Sequence, residues 1–153
     1  MAKYIAYTQE DGVIAIVVPA INTAPKPEDI TEEEALERAW QTIPAGVIDP
    51  HVIEDKMIPP DRTFRNAWIS DGKGGVTYDM EKARAIVRDV LRQKRLPLLI
   101  ALDIAYIRAD EAGDAAEKAR IVAEKRRLRD ITADPHIVRA TTIEDLARAR
   151  ALL

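Results

Sequence analysis

The feature that most constrains the fold is a set of apolar residues with helical periodicity in the second half of the chain. It begins soon after Asp79, and its members recur at offsets of 0, 3, 4, 7 and 8 residues, the spacing of one face of an amphipathic helix. The positions are Ala83, Ile86, Val87, Val90 and Leu91. Helical patterning then continues almost to the C-terminus. Because a helix with one apolar face must bury it against another element, the sequence predicts a helical domain over residues 79–153.

The segment that follows, residues 98–109, carries apolar residues on two faces of the predicted helix. Pro97 either kinks the first helix or begins a new one at its first turn. One face holds Leu98, Leu102, Ala105, Tyr106 and Ala109, and the other holds Ile100, Ile104 and Ile107. A helix with two apolar faces is either central to the fold or shared between subunits, so we expect a homo-oligomer.

The N-terminal part has the pattern of a small sheet with one helix. Residues 3–8 and 13–18 are rich in strand formers, and an Asp-Gly pair between them predicts a hairpin turn. Thr31 with Glu34 predicts a capping box at the start of a short helix, after a Pro-containing connector over residues 21–31. Residues 46–54 are a candidate third strand, broken by Pro50.

These patterns together predict an α+β protein. A small domain over residues 1–57 would hold the hairpin or a three-stranded sheet with its helix. A hinge rich in Pro and Gly, with a short aromatic segment, would follow over residues 58–78, and the helical domain over residues 79–153.

Composition and charge exclude several classes of protein. The chain has no cysteine, which rules out disulfides and thiolate metal sites and suits a reducing cytoplasm. No apolar run reaches the roughly 20 residues that span a bilayer, and the N-terminus lacks the apolar core of a signal peptide. Residues 80–153 hold 16 Lys/Arg and 12 Asp/Glu, whereas residues 1–79 hold 7 and 14. This polarity would dock the two halves or steer a contact between copies.

Four arginines form a candidate binding face, here called the arginine ridge. Arg84, Arg88, Arg92 and Arg95 recur at spacings of four, four and three, so they share one side of the helix. The ridge would bind an anionic partner, either a phosphate backbone or an acidic protein surface. Alternatively it is a solvated face paired with Glu81, Asp89 and the acidic N-terminal half. No aromatic residues interleave with it to stack on bases, so nucleic acid has little support as a partner.

Residues of the types used in catalysis and metal binding are present without the spacings that such chemistry needs. Asp103 and Asp110 share a helical face, but no EF-hand spacing accompanies them. His51 and His136 lie far apart, beside prolines, and Asp71-Gly-Lys-Gly-Gly lacks the P-loop spacing. We therefore predict no enzyme activity, no cofactor and no metal.

The large aromatic residues have two interpretations. Trp40, Phe64 and Trp68 would anchor the small N-terminal core or pin the hinge. Alternatively, Phe64 and Trp68 are exposed anchors for a partner, since Trp is enriched among binding hot spots.

The order of several short segments resembles small accessory proteins encoded in structural gene clusters of tailed phages and prophages, some of them called tail assembly chaperones. The matching segments are residues 61–68 (DRTFRNAW), 79–84 (DMEKAR), 102–103 (LD), 108–109 (RA), 113–114 (GD) and 128–131 (LRDI). Where tail assembly chaperones usually have a tryptophan after the aspartate, this chain has Ile104.

The resemblance implies a β-rich N-terminal part, a helical C-terminal part and a non-enzymatic role in the phage tail module. The partner would be a tail or other virion protein, such as the long tape measure protein, bound in the host cytoplasm or in the virion. The alternatives are an inhibitor of a host defence complex and a minor structural component of the virion.

Overall fold

The computed structural model describes residues 2–20 and 30–153 and confirms the α+β architecture. The chain divides into two compact units, Met1–Asp79 and Met80–Leu153. The first holds a small antiparallel sheet, and the second is helical. Most of the connector predicted over residues 21–31 lies outside the described residues.

The described residues of the first unit form five strands and one α-helix. They are β1 (Lys3–Thr8), β2 (Ile14–Val17), α1 (Glu32–Trp40), β3 (Ile48–Glu54), β4 (Trp68–Ser70) and β5 (Val76–Tyr78). One sheet has the order β2-β1-β3, and β4 pairs with β5 in a separate hairpin. Short 3-10 turns span Asp55–Met57 and Arg65–Ala67.

The predicted hairpin and the predicted helix cap are both confirmed. Gly12 has a φ of 81°, a left-handed conformation that glycine adopts without a steric penalty, and Ile5 pairs with Val17 across the ladder. At α1 the Thr31 hydroxyl accepts from the Glu34 amide at 3.3 Å. The Glu34 carboxylate accepts from the Thr31 amide at 3.0 Å, which completes the capping box.

The third strand is present, and it accommodates Pro50 by a local irregularity. The register between β1 and β3 shifts between Ala6 and Thr8, opposite Pro50. Asp49, the residue before the proline, has a φ of 49°. β3 lies at the edge of its sheet, where a residue without an amide donor interrupts the fewest hydrogen bonds.

The segment predicted as a hinge, residues 58–78, belongs to the first unit. Ile58 and Trp68 are buried in one core cluster with Ala6, Ile14 and Ile53. The β4–β5 hairpin was not predicted, because each of its strands has only three residues and the alternating pattern is too short to recognise. Pro59 and Pro60 therefore lie within the first unit and do not mark its boundary.

The Gly-rich loop of this hairpin is organised by one carboxylate. Asp71 Oδ1 accepts from the amides of Lys73 at 2.7 Å and Gly75 at 2.9 Å. These bonds, with that of Lys73 the stronger, lower the pKa of Asp71. A Cβ on Gly75 would lie 2.6 Å from Asp71 Oδ2. The loop is a hairpin turn built around its own aspartate.

Four helices make up the second unit. They are α2 (Met80–Glu111), α3 (Ala115–Asp130), α4 (Pro135–Val138) and α5 (Ile143–Ala149), with a 3-10 turn at Ile131–Ala133. α2 runs unbroken through Pro97, although this residue cannot donate the hydrogen bond to the carbonyl four residues earlier. α3 packs against α2 after a turn at Gly113. The side chain of Asp114 caps α3 by accepting from the Glu117 amide at 2.9 Å.

The apolar face predicted over residues 83–91 of α2 packs into the core of the second unit. Ala83, Val87 and Leu91 are fully buried, as are Leu128 on α3 and Leu146 on α5. The helical period read from the sequence therefore identified the face of α2 that packs.

A pair of matched substitutions on α2 tests this assignment. We expect Leu91→Ala, at a fully buried site, to lower the free energy of unfolding of the helical unit by about 2–5 kcal/mol. Leu96→Ala, at a site that is 59% exposed, should change it by less than about 0.5 kcal/mol. Denaturant titration followed by circular dichroism at low protein concentration measures both. Equal losses would show that the packing face is misplaced.

Candidate functional site

Three members of the arginine ridge bind carbonyl oxygens of their own chain. Arg84 Nη2 donates to Ala140 O at 2.8 Å, just past the end of α4. Arg88 Nε donates to Thr132 O at 3.4 Å, in the 3-10 turn. Arg95 Nη1 donates to two carbonyls at the end of α3, at 3.2 and 2.7 Å. The last carbonyls of a helix have no partner within it, so these arginines satisfy groups that the short helices leave open.

Lys94 extends the same arrangement to the C-terminus of the chain. Its ammonium group donates to Arg150 O at 2.9 Å, just past α5, and to Leu153 O at 3.1 Å. A cation at a helix C-terminus also interacts favourably with the helix dipole. Four cations of α2 thus bind the C-terminal ends of the segments packed around it.

This arrangement corrects the expectation of a free cationic face at Arg84, Arg88 and Arg95. Their spacing had placed them correctly on one side of α2, but that side faces the other helices of the unit. The alternative pairing with acidic residues holds in part, since Arg84 pairs with Glu81. Arg92 pairs with Asp89 at 2.5 Å and stays exposed. Arg92 alone of the four is thus left as a candidate for contact with a partner.

Phe64 and Trp68 are buried, with exposed fractions of 1% and 4%. Phe64 precedes the 3-10 turn and Trp68 opens β4, and Trp68 packs with Ile14 and Ile53. This burial corrects the expectation that the two side chains bind a partner from the surface. They are core residues of the first unit, which is the other interpretation that the sequence had left open.

Two acidic residues of α2, Asp103 and Asp110, each pair with a different lysine of α3. Asp110 accepts from Lys118 at 2.5 Å, and Asp103 forms an ion pair with Lys125. Both lysines also lie over the ring of Tyr106, at 5.6 and 5.8 Å from its centroid. The pairing with Asp110 raises the pKa of Lys118. These carboxylates therefore hold α2 and α3 together and do not converge on one point.

The two histidines, candidate metal ligands by residue type, also each contact a nearby residue and do not converge on a common site. His51 Nδ1 contacts the backbone oxygen of Asp49 at 2.9 Å, and His136 contacts Asp134, the capping residue of α4, at 2.7 Å. Across residues 2–20 and 30–153, no three His, Asp or Glu side chains are grouped to hold a metal ion. In the same residues no helix combines the length and apolarity that crossing a membrane requires.

The second apolar face of α2 is exposed, and it forms the candidate functional surface. Ile100, Ile104 and Ile107 are 53, 49 and 58% exposed. Leu96, which the sequence analysis had not assigned to this face, is 59% exposed and continues it by one turn. We call these four residues the apolar stripe. Their spacings of four, four and three place them on one side of the helix, opposite the buried Val87 and Leu91.

A helix with this stripe is suited to binding another apolar surface. Single exposed apolar residues are ordinary, but a contiguous row of them marks an interaction site. Residues 96–107 span about 17 Å at 1.5 Å per residue, which is three helical turns. The charged side chains of Arg92, Asp103 and Asp110 lie along one edge of the row, as at the polar rim of a protein interface.

No protein-family model, curated protein or solved structure matches this chain.

A matched pair of arginine substitutions tests the role of the ridge. Arg95→Met removes a charged donor from two carbonyls at the end of α3, and we expect it to cost about 1.5–3 kcal/mol of stability. Arg92→Met removes an exposed ion pair and should cost at most about 1 kcal/mol. Urea unfolding of the two variants gives the comparison. Equal costs would contradict the assignment of Arg95 to helix capping.

Thr142 and Asp145 form a capping box at the start of α5. The pH response of Asp145 tests the hydrogen bonds of this cap. Hydrogen bonding from the Thr142 hydroxyl, and then from Arg148, lowers the pKa of Asp145 below its ordinary value of 3.8. A lowered folded pKa means that the stabilisation is fully present above the unfolded value and is lost as the pH falls through the folded one. Thr142→Ala should therefore move the Asp145 titration midpoint upward, towards 3.8, when it is followed by NMR. An unchanged midpoint would rule out the hydroxyl as the cause.

Proposed function

We propose that this chain is a non-enzymatic protein-binding accessory protein of a tailed phage, and most specifically a tail assembly chaperone. The observation that carries the proposal is the apolar stripe, a row of half-exposed aliphatic side chains on the face of α2 opposite its core. The short segments that resemble phage tail accessory proteins indicate that the partner belongs to the phage tail module. The stripe supplies the physical means of binding.

The partner that best fits the stripe is an apolar helical segment of a larger phage protein. Helices bind in grooves and against one another through anchors spaced three and four residues apart, which is the spacing of the stripe. A long tape measure protein offers such segments along its length. Covering these segments during assembly in the host cytoplasm would keep the tape measure protein soluble. The chaperone would then either dissociate or remain in the virion.

The charges beside the stripe would orient the partner. Arg92 lies near one end of the stripe, and Asp110 and Glu111 lie near the other. Charges at the rim of an interface affect the rate and direction of docking more than its strength. A partner helix with the opposite order of charges is therefore favoured.

Co-expression with a tail protein tests the function. We expect the soluble yield of the tape measure protein from the same phage to rise when the wild-type chain is present, and to fall back with Ile104→Glu. This variant places a charge in the middle of the stripe without disturbing the core, because Ile104 is half exposed. Val138→Glu makes the same kind of change at another exposed site, on α4, and should behave as the wild type does.

The outcomes separate the candidate functions. A soluble yield that never changes, with this or another protein of the tail module, would end the chaperone proposal. Specific recovery of a host nuclease or defence complex on the tagged chain, lost with Ile104→Glu, would make the protein an inhibitor instead. Its presence in purified particles without any effect on solubility would make it a minor virion component.

A further inference from the structure

The apolar stripe has a pattern that a second copy of the same chain can match. Its spacings of four, four and three residues are nearly the same when they are read backwards. In an antiparallel pair of α2 helices centred near residues 101 and 102, Leu96 of one copy lies opposite Ile107 of the other. Ile100 then lies opposite Ile104, and each contact occurs twice because a two-fold interface is self-complementary.

The charges favour the antiparallel pair over the parallel one. Arg92 and Asp110 are 18 residues apart, which is five full turns at 3.6 residues per turn, so both lie on the same edge of the stripe. When two helices pair antiparallel, equivalent edges meet, and Arg92 of one copy faces Asp110 of the other. A parallel pair would bring opposite edges together, so the Arg92 and Asp110 side chains of the two copies would lie on different sides of the interface and could not pair.

The existing contacts of these residues permit the new ones. Arg92 pairs with Asp89 and Asp110 pairs with Lys118, each at 2.5 Å and each partly exposed. A second opposite charge would extend these pairs into a network at the rim without burying an unpaired group. On the other edge, the ammonium group of Lys94 binds its own C-terminal carbonyls, which draws it away from Arg108 of the second copy.

We propose that the apolar stripe is covered by a second copy of this chain, packed antiparallel, with Arg92 of each copy paired to Asp110 of the other. The inference rests on the same surface as the proposed function and deepens it, because the second copy covers the stripe until a partner protein displaces it. Four side chains on three helical turns make a small contact beside the roughly 800 Å² per partner of a standard interface. The dimer is therefore weak and depends on concentration, as a form that exchanges with a partner requires.

Cysteine crosslinking tests the orientation. The wild-type chain contains no cysteine, so any crosslink is assigned to the residue introduced. Leu96→Cys and Ile107→Cys are purified separately, one with a size tag, and treated with a short thiol-specific crosslinker alone and mixed. We expect the mixture to give a mixed dimer at least tenfold more efficiently than either variant alone. A mixture of Leu96→Cys with Val138→Cys sets the background.

Charge reversal supplies an independent test that leaves the stripe intact. Arg92→Glu and Asp110→Arg should each weaken the dimer about two- to fivefold in sedimentation equilibrium, the range of exposed ion pairs. The double variant should restore it. Helicity measured by circular dichroism confirms that each variant is folded.

Several results would overturn the inference. A parallel pair would show as efficient crosslinking of each cysteine variant with itself. Background crosslinking in every mixture, together with a monomeric mass at high concentration, would show that no second copy covers the stripe. If the double variant did not restore the dimer, the pairing of Arg92 with Asp110 between copies, and the register that it defines, would be wrong. None of these results affects the co-expression assay, so failure of the dimer and failure of the chaperone function remain distinguishable.

Discussion

The structure of the helical unit depends on the supply of hydrogen-bond donors to the ends of its short helical segments. α4 and α5 have four and seven residues, too few to be stable alone in water, and each leaves carbonyl oxygens open at its C-terminus. The long helix α2 donates to the residues just past α4 and α5 from Arg84 and Lys94. In the same way Arg95 donates to the end of α3 and Arg88 to the 3-10 turn that follows it. Apolar burial at Val87 and Leu91 holds the same helices, so packing and capping act from one element.

This dual use of α2 explains why its free surface is apolar. The cations at residues 84, 88, 94 and 95 donate to carbonyls of the segments packed around α2, and Asp103 and Asp110 pair with the lysines of α3. The side that remains carries Leu96 and the three isoleucines. A stable unit would gain nothing from exposing them, because aliphatic side chains in water lose the free energy that burial provides. The proposed binding, to a partner protein or to a second copy, would give their position a physical explanation.

The first unit is held by a different principle. Its sheet has three short strands, and such a sheet needs cover on one face to be stable. Ile58 and Trp68, from the segment after the sheet, join Ile14 and Ile53 in the core. The sequence suggested a hinge there because proline and glycine flank the segment. Those residues instead permit tight turns in a chain that returns to the core, as the loop around Asp71 shows.

The sequence by itself determined the class of fold, the hairpin at Gly12, the cap at Thr31, and both apolar faces of α2. Each of these follows from local spacing, which fixes backbone conformation and the side of a helix on which a residue lies. Only the tertiary structure decided that three of the four ridge arginines bind carbonyls of their own unit, and that Phe64 and Trp68 are buried. Spacing shows that side chains share a face, but not what that face meets. The carbonyls at residues 128, 132 and 140 that bind the ridge lie more than 30 positions away from it along the chain, and contacts at that separation have no local pattern.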